Sequence, residues 1–86
     1  MQKLRPDMGI GKNLRKIRTV RGYTQAEVAT FLQLRGCIVS AMTYSKMERN
    51  IYNIRISELF ALKEIFELDS FDPFFEEIEP LNEETD

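Results

Sequence analysis

The chain has 86 residues, of which 43% are hydrophobic and 30% charged, so it can build one small globular core but no cleft between two domains. One cysteine and no histidine exclude a disulfide framework and make a zinc cluster or imidazole catalysis implausible, so we expect no cofactor and no enzyme. The net charge of −2 offers a polyanion no overall attraction. The longest apolar run, residues 59–62, is too short for a signal peptide or a membrane span, so we expect a cytoplasmic protein.

Apolar residues recur at helical spacing near the start of the chain, and a glycine follows them. This pattern predicts a first helix from about Met8 to Arg21, which Gly22 ends because glycine adopts the left-handed conformation without strain. The apolar residues of this helix are Ile10, Leu14, Ile17 and Val20.

The next segment begins with a capping motif. The Thr24 hydroxyl can accept a hydrogen bond from the amide of Glu27, and the Glu27 carboxylate can accept one from the amide of Thr24. A second helix is therefore predicted from Gln25 to about Arg35, and Gly36 is the first residue able to end it without strain. Its apolar face consists of Val28, Ala29 and Leu32, with Phe31 beside it.

A third helix is predicted from Ala41 to about Arg49, because Ser40 is a favoured N-cap residue. Tyr44 and Met47 are three residues apart and match the inward face of this helix. The positions left for the outward face are small and mostly uncharged: Ala41, Met42, Thr43, Ser45 and Lys46.

The last third of the chain divides into a loop, two helical segments and a tail. Asn50 suits the C-terminal cap of the third helix, residues 51–56 are predicted as a loop, and Ser57 is predicted to cap a fourth helix. Asp69 or Ser70 is predicted to open a last short turn. We expect a folded domain over residues 1–75 and an acidic, frayed tail over residues 76–86. The apolar residues of the fourth helix are Leu59, Leu62, Ile65 and Phe66, and the last turn carries Phe71, Pro73, Phe74 and Phe75.

The small net charge hides a strong asymmetry along the chain. Up to Arg55 there are eleven basic and three acidic residues, which gives +8, whereas from Ile56 onward one basic residue faces eleven acidic ones, which gives −10. A charged partner responds to the local field within about 10 Å rather than to the average charge. The basic two thirds can therefore form a face that binds nucleic acid.

Four short motifs follow one another in the chain. The first motif is residues 13–18 followed by Gly22, and the second is Thr24 and Gln25 followed by Val28, Ala29 and Leu32. The third motif is residues 43–49, and the fourth is a closing segment from Ser57 to Phe75. In this order they resemble the Cro-type phage repressor family of helix-turn-helix domains, also called the XRE family. The resemblance implies an all-α, five-helix, lambda-repressor-like bundle in which helices two and three form the helix-turn-helix. It also implies a transcriptional regulator that binds double-stranded DNA as a homodimer, with no membrane and no small-molecule ligand as a partner.

The sequence departs from the family pattern in two places. Between Ala29 and Tyr44 the chain is about five residues longer than the usual turn, so the third helix can sit at an altered angle. Where the family often places Arg, Gln or Ser toward the bases, this chain has Ala41 and Met42. These two side chains cannot donate to a base edge, and the most they offer is contact with a thymine methyl group, so we expect more dependence on DNA shape.

The resemblance and the helix ends together suggest which residues contact DNA. Gln25, at the start of the second helix, is expected to hold a phosphate with its side-chain amide and the neighbouring backbone amides. Lys46 is expected to reach a guanine edge or a phosphate, while Ser40 serves first as a cap. The whole expected set is Gln25, Ser40, Ala41, Met42, Thr43, Ser45, Lys46 and Arg49, and for each the alternative is an ordinary surface role.

The resemblance further implies that Arg18 and Glu48 form a partly buried ion pair that ties helix one to the end of helix three. Such a pair is structural and does not contact DNA. Removal of one partner is expected to cost about 3 kcal/mol or more, because the other charge is left buried and uncompensated.

Several alternatives stay open on the sequence alone. The main rival is a protein-interaction module, antitoxin-like or a regulatory partner subunit, which keeps the bundle and has weak or no DNA binding. The aromatic residues of the last turn either seal the bundle or form a patch for self-association. Cys37 is either a small buried apolar residue or a redox switch. The acidic tail either keeps the protein soluble, shields the basic face or binds a partner.

Overall fold

The structure is a computed structural model that describes residues 9–76, and every regular element in that range is a helix. The five helices are α1 (Gly11–Arg21), α2 (Gln25–Leu34), α3 (Ala41–Glu48), α4 (Ile56–Ile65) and α5 (Asp72–Phe75). The predicted all-α, five-helix architecture is confirmed. Met8 and the acidic tail after Glu76 lie outside the described residues, so the domain boundaries stay a prediction.

The core lies between the helices and consists of aliphatic and aromatic side chains. α2 packs against both α3 and α4, while α1 packs against α3 and α5. Tyr44 and Met47 of α3 are fully buried, as their spacing predicted, whereas Val20 at the end of the predicted apolar face of α1 is 79% exposed. The buried residues of the core cluster are Leu14, Val28, Leu32, Val39, Tyr44, Met47, Ala61, Leu62, Ile65, Phe66 and Phe74.

Local signals placed the end of α1 and the start of α2 correctly. Gly22 follows α1 with φ of 79°, in the left-handed region that favours glycine. The Thr24 hydroxyl accepts from the Glu27 amide at 3.0 Å, and the Glu27 carboxylate accepts from the Thr24 amide at 2.8 Å. The predicted capping box is therefore confirmed, and α2 begins at Gln25 as predicted.

The start of α1 differs from the prediction because a distant side chain determines it. α1 begins at Gly11 rather than near Met8, and the N-cap residue Ile10 contributes no side-chain hydrogen bond. Instead the Gly11 amide donates to Oδ1 of Asn50 at 2.9 Å, although the two residues are 39 positions apart. A Cβ at residue 11 would collide with the backbone carbonyl oxygen of Glu48. A glycine is therefore needed where the start of α1 meets the end of α3.

The predicted cap of α4 at Ser57 is wrong by two residues. The helix begins at Ile56, its N-cap is Arg55, and Ser57 is already inside the first turn. The reason is Glu58, whose carboxylate accepts from the Arg55 amide at 2.9 Å and from the Tyr52 hydroxyl at 3.1 Å. A side chain within the first turn thus satisfies an amide at the helix start, and no serine cap is required.

The last helix starts later than predicted and is held against α1. α5 begins at Asp72 rather than at Asp69 or Ser70, and the Ser70 hydroxyl accepts from the Asp72 amide at 3.2 Å. The buried side chain of Asn13 donates to the carbonyl oxygens of Phe74 at 2.8 Å and Glu76 at 2.9 Å. These two hydrogen bonds fix the end of the described chain to α1.

Of the three aromatic residues in the last turn, one seals the bundle. Phe74 is fully buried, Phe71 is half-buried and packs edge-to-face on Phe60 at 4.9 Å between ring centroids, and Phe75 is half exposed. None of the helices within residues 9–76 has the length and apolar character needed to cross a membrane. No group of side chains that could hold a metal ion occurs in the same range.

Candidate nucleic-acid interface

The turn between α2 and α3 spans residues 35–40, and hydrogen bonds to the end of α2 hold it in place. The Cys37 amide donates to the Leu32 carbonyl at 2.9 Å, and the side chain of Gln33 donates to the Val39 carbonyl at 2.9 Å. Gly36 has φ of 85°, and Val39 is fully buried between the two helices. The additional residues of this turn are thus hydrogen-bonded and anchored to the core. Cys37, half-buried, lies within the same turn.

Ser40 caps α3, as its residue type predicted. Its hydroxyl accepts from the Thr43 amide at 3.1 Å and donates to the Thr43 hydroxyl at 3.2 Å. Both hydroxyl groups are therefore engaged with each other and with the helix start. Ser40 is exposed and Thr43 is half-buried, so each still reaches the protein surface.

The outward face of α3 is a stripe of four residues. At about 3.6 residues per turn, positions 42, 45, 46 and 49 point away from the direction in which Tyr44 and Met47 enter the core. Met42 is 68% exposed, Arg49 is also exposed, and Ser45 and Lys46 are half-buried. Ala41, exposed, lies beside the N-terminal end of the stripe. The stripe thus runs from apolar at the start of α3 to basic at its end.

The acidic residue of α3 points away from this stripe into an ion pair. Glu48 accepts two hydrogen bonds from Arg18, at 2.6 Å from Nε and at 3.1 Å from Nη2. The Glu48 side chain is 4% exposed and that of Arg18 is 15% exposed. Arg18 also donates to the Tyr23 carbonyl at 2.9 Å. The structure therefore brings together the two residues that the family resemblance paired, and it joins α1 to the end of α3.

Gln25 lies at the same junction and is engaged inside the protein. Its side-chain nitrogen donates to Oε1 of Glu48 at 3.0 Å, which was not anticipated from the sequence. An amide nitrogen carries two hydrogens, so one remains for an external acceptor. The bond places the first residue of α2 beside the C-terminal end of α3. The two helix ends that the sequence linked to DNA therefore meet at Glu48.

The protonation states of this cluster follow from its burial and hydrogen bonds. Burial alone would raise the pKa of Glu48, but the hydrogen bonds from Arg18 above all, together with the nearby Tyr44 hydroxyl and Gln25, outweigh it and hold the pKa below the ordinary carboxyl value. The hydrogen bond to Glu48 likewise raises the pKa of Arg18. Burial, reinforced by the nearby Glu48 carboxylate, raises the pKa of Tyr44. At neutral pH Glu48 is ionised and its charge is compensated.

The Tyr44 hydroxyl is buried beside this pair and has no hydrogen-bond partner of good geometry among residues 9–76. An uncompensated buried hydroxyl costs about 1–3 kcal/mol. The Tyr44 hydroxyl lies below α3, on the side opposite to the stripe, and takes no part in the surface that faces solvent.

Two arginines outside α3, Arg21 and Arg35, each lie close to an acidic side chain. Nη1 of Arg21 lies 3.8 Å from a Glu67 carboxylate oxygen, and Nε of Arg35 lies 3.3 Å from one of Glu64, which draws both arginines toward the acidic second half of the chain. Across the described chain neither Lys46 nor Arg49 has an ion-pair partner. Both side chains belong to the stripe.

Asn50 and Gly11 are important to the placement of α3, and sequence reasoning missed both of their roles. Asn50 was expected only to end α3, and it does follow the helix with φ of 62°. Its side chain additionally caps α1 through the Gly11 amide. The signal was a glycine at the start of a helix without a local capping residue. Such a signal says that a cap is needed but not which residue supplies it.

A family model described as helix-turn-helix, of the XRE type, matches residues 14–70 and thus more than half of the chain. No curated protein and no solved structure gives a significant match. The matched range includes α2, the turn and α3, together with the Arg18 and Glu48 pair that orients them. The chain therefore belongs to the XRE family of helix-turn-helix domains, which are DNA-binding transcriptional regulators.

Proposed function

We propose that this protein is a sequence-specific transcriptional regulator that lays the outward face of α3 in the major groove of DNA. The observation that carries the proposal is the character of that face: it is exposed at Met42 and Arg49 and half-buried at Ser45 and Lys46, and these four residues include two basic groups and no carboxylate. Glu48, the acidic residue of α3, is turned inward and compensated by Arg18. A single helix fits the major groove, which is about 12 Å wide.

Phosphate contacts position the duplex in this proposal, and they come from both ends of the helix pair. Arg49 at the end of α3 and the backbone amides of Gln25 and Ala26 at the start of α2 face one strand. The second side-chain hydrogen of Gln25 adds a donor there. The Glu27 carboxylate opposes an anion at the same helix end, but its hydrogen bond to the Thr24 amide holds it within the capping box.

Base reading by hydrogen bonds is limited to the middle of the stripe. Lys46 donates to the acceptor edge of guanine, and the hydroxyl of Ser45 serves as a donor or an acceptor. The Ser40 hydroxyl hydrogen is committed to Thr43, so Ser40 contributes no donor to a base, whereas the Thr43 hydroxyl keeps its own hydrogen. Part of the specificity then comes from the shape and deformability of the duplex.

A salt titration with a matched pair of lysine variants tests this function. Duplexes selected from a random library and unselected duplexes are titrated by fluorescence anisotropy, and log K is expected to fall with log salt with a slope of about −0.9 per phosphate contact. Lys46→Ala is expected to lose about 1–3 kcal/mol on the selected duplex and less on the unselected one. Lys63→Ala on α4, where the ammonium lies 5.5 Å from the Phe71 ring centroid, serves as the control with unchanged DNA affinity.

Equal losses on the two duplexes would reduce Lys46 to a phosphate contact. The absence of salt-dependent binding to either duplex at low salt would contradict the proposed function as a whole.

We further propose that the protein acts as a homodimer, which sets two half-sites about 34 Å apart. A hollow of about 650 Å³ lies between the turn after α2 and α4, with Ile38, Tyr52, Phe60 and Ala61 in its lining. Ile38 is 96% exposed and Phe60 is 56% exposed, so the same surface has both a projecting side chain and a depression. Arg35 and Glu64 also line it, but they are paired with each other at 3.3 Å. A surface of this kind is complementary to a second copy of itself.

The same hollow is the specific observation that favours the second candidate function, a protein-interaction module with weak or no DNA binding. In that case Ile38 and Phe60 bind a different protein, and the charges on α3 only keep the surface solvated. The salt titration separates the two functions, because the module binds mixed duplexes at no salt concentration.

A further inference from the structure

The N-terminal part of the α3 stripe is apolar, and this needs an explanation of its own. Met42 is 68% exposed and lies on the side of the helix opposite to the core residues Tyr44 and Met47. Ala41 beside it is also exposed. A methionine side chain has only a weakly accepting sulfur and no donor. It therefore contributes neither to the core nor to a hydrogen bond with DNA.

Resting on the proposed function, we propose that Met42 reads thymine by packing on its 5-methyl group in the major groove. Thymine is the base that presents a methyl group there, whereas cytosine has only a hydrogen at the same ring carbon, next to its amino donor. Methionine is flexible and polarisable, so it adapts its shape to a single methyl group. The contact thus needs no rigid pocket and no hydrogen bond.

The contact also disfavours the wrong base pairs. A methionine pressed against the amino group of cytosine would remove water from that donor and return no hydrogen bond, which is unfavourable. Met42 therefore selects for thymine and against G·C pairs at one position of each half-site.

The position of this thymine relative to the base under Lys46 follows from the helix geometry. Met42 and Lys46 are four positions apart, which is about 6 Å along the axis of α3. Base pairs are spaced by about 3.4 Å. The thymine is thus expected within about two base pairs of the position that Lys46 contacts.

A double-mutant cycle between protein and base tests the proposal. A duplex selected by the wild-type protein is resynthesised with deoxyuridine in place of each thymine in turn, which removes only the methyl group. At one thymine of each half-site the wild-type protein is expected to lose about fourfold in affinity, the effect of burying one methyl group. Met42→Ala is expected to bind the thymine and uracil duplexes equally. Val20→Ala, which shortens a 79% exposed side chain on α1, is expected to keep the fourfold difference.

A second variant makes the assignment specific. Met42→Gln introduces a side chain that donates and accepts at adenine, so its selected sites are expected to change from thymine to adenine at this one position. Equal affinity of the wild-type protein for thymine and uracil at every position, or a methyl effect that persists in Met42→Ala, would overturn the role of Met42 while leaving DNA binding intact. Failure of the wild-type protein to select any duplex would overturn the proposed function and this inference with it.

Discussion

Three side chains, Arg18, Glu48 and Gln25, connect the start of α2 with the end of α3. Gln25 and Arg18 converge on one carboxylate whose side chain is 4% exposed. Two donors in this arrangement do more than neutralise a charge, because they fix the direction of the groups that carry them. Glu48, with its donors Arg18 and Gln25, therefore sets the position of α3 relative to α1 and α2 rather than contacting a ligand. A residue far from the stripe thus controls what the stripe can reach.

Arg18→Ala is expected to lower the free energy of unfolding by about 3 kcal/mol, because it leaves the Glu48 carboxylate buried with one remaining donor. Urea denaturation followed by circular dichroism measures this loss. Arg15→Ala removes an exposed arginine from the same helix and is expected to change stability by less than about 0.5 kcal/mol. Similar losses in the two variants would mean that the ion pair does not contribute to the stability of the fold.

The same pair predicts how stability changes with pH. The folded pKa of Glu48 is below its unfolded value, so its contribution is fully present above the unfolded value of about 4.3 and is lost as the pH falls through the folded value. Glu48→Gln removes this contribution. The stability difference between wild type and variant is therefore expected to be constant near neutral pH and to shrink below about pH 4. A difference that grows with acidity would contradict the lowered pKa.

At the scale of helices, the sequence predicted those ends that a nearby residue determines. Gly22 after α1, the Thr24 and Glu27 box of α2, and the Ser40 cap of α3 depend on contacts within three residues, and all were predicted correctly. The start of α1 was predicted about three residues too early, because its first amide is capped by Asn50 from the end of α3. No local pattern contains that information.

The candidate interface divides in the same way. Helical spacing identified Met42, Ser45 and Lys46 as outward-facing, because the buried positions of α3 are themselves in the sequence. Helical spacing did not predict that the Gln25 side chain binds Glu48, since that contact depends on how α2 crosses α3. The hollow was missed for the same reason: Ile38 and Phe60 are 22 positions apart and adjoin only after the turn and α4 pack together.

At the scale of the whole molecule, the basic and acidic parts of the sequence contact each other. The contacts of Arg21 with Glu67 and of Arg35 with Glu64 bring basic residues from the first half against acidic residues from the second. Lys46 and Arg49 on α3 form no such pair within the part of the chain that the structure describes. The net charge of −2 therefore averages over parts of the chain with opposite charge.

The hollow next to α4 leads to a prediction about assembly. Phe60→Asp is expected to convert the proposed homodimer into a monomer, because a carboxylate placed in a buried apolar contact would lose its water without gaining a partner. Multi-angle light scattering after gel filtration measures the mass of each variant. Val20→Asp places the same charge on an exposed apolar position of α1 and is expected to leave the dimer intact. A wild-type protein that is monomeric at every concentration would contradict the assembly.

The central claim is that the start of α2 and the outward face of α3 form one surface that docks on DNA. Amide chemical shifts of the ¹⁵N-labelled protein, recorded during titration with a selected duplex, test it most directly. The largest changes are expected at residues 25–26 and 41–49, with small changes at Ile38, Phe60 and α5. Changes concentrated at the hollow or at α5, with those of α3 unaffected, would contradict the claim.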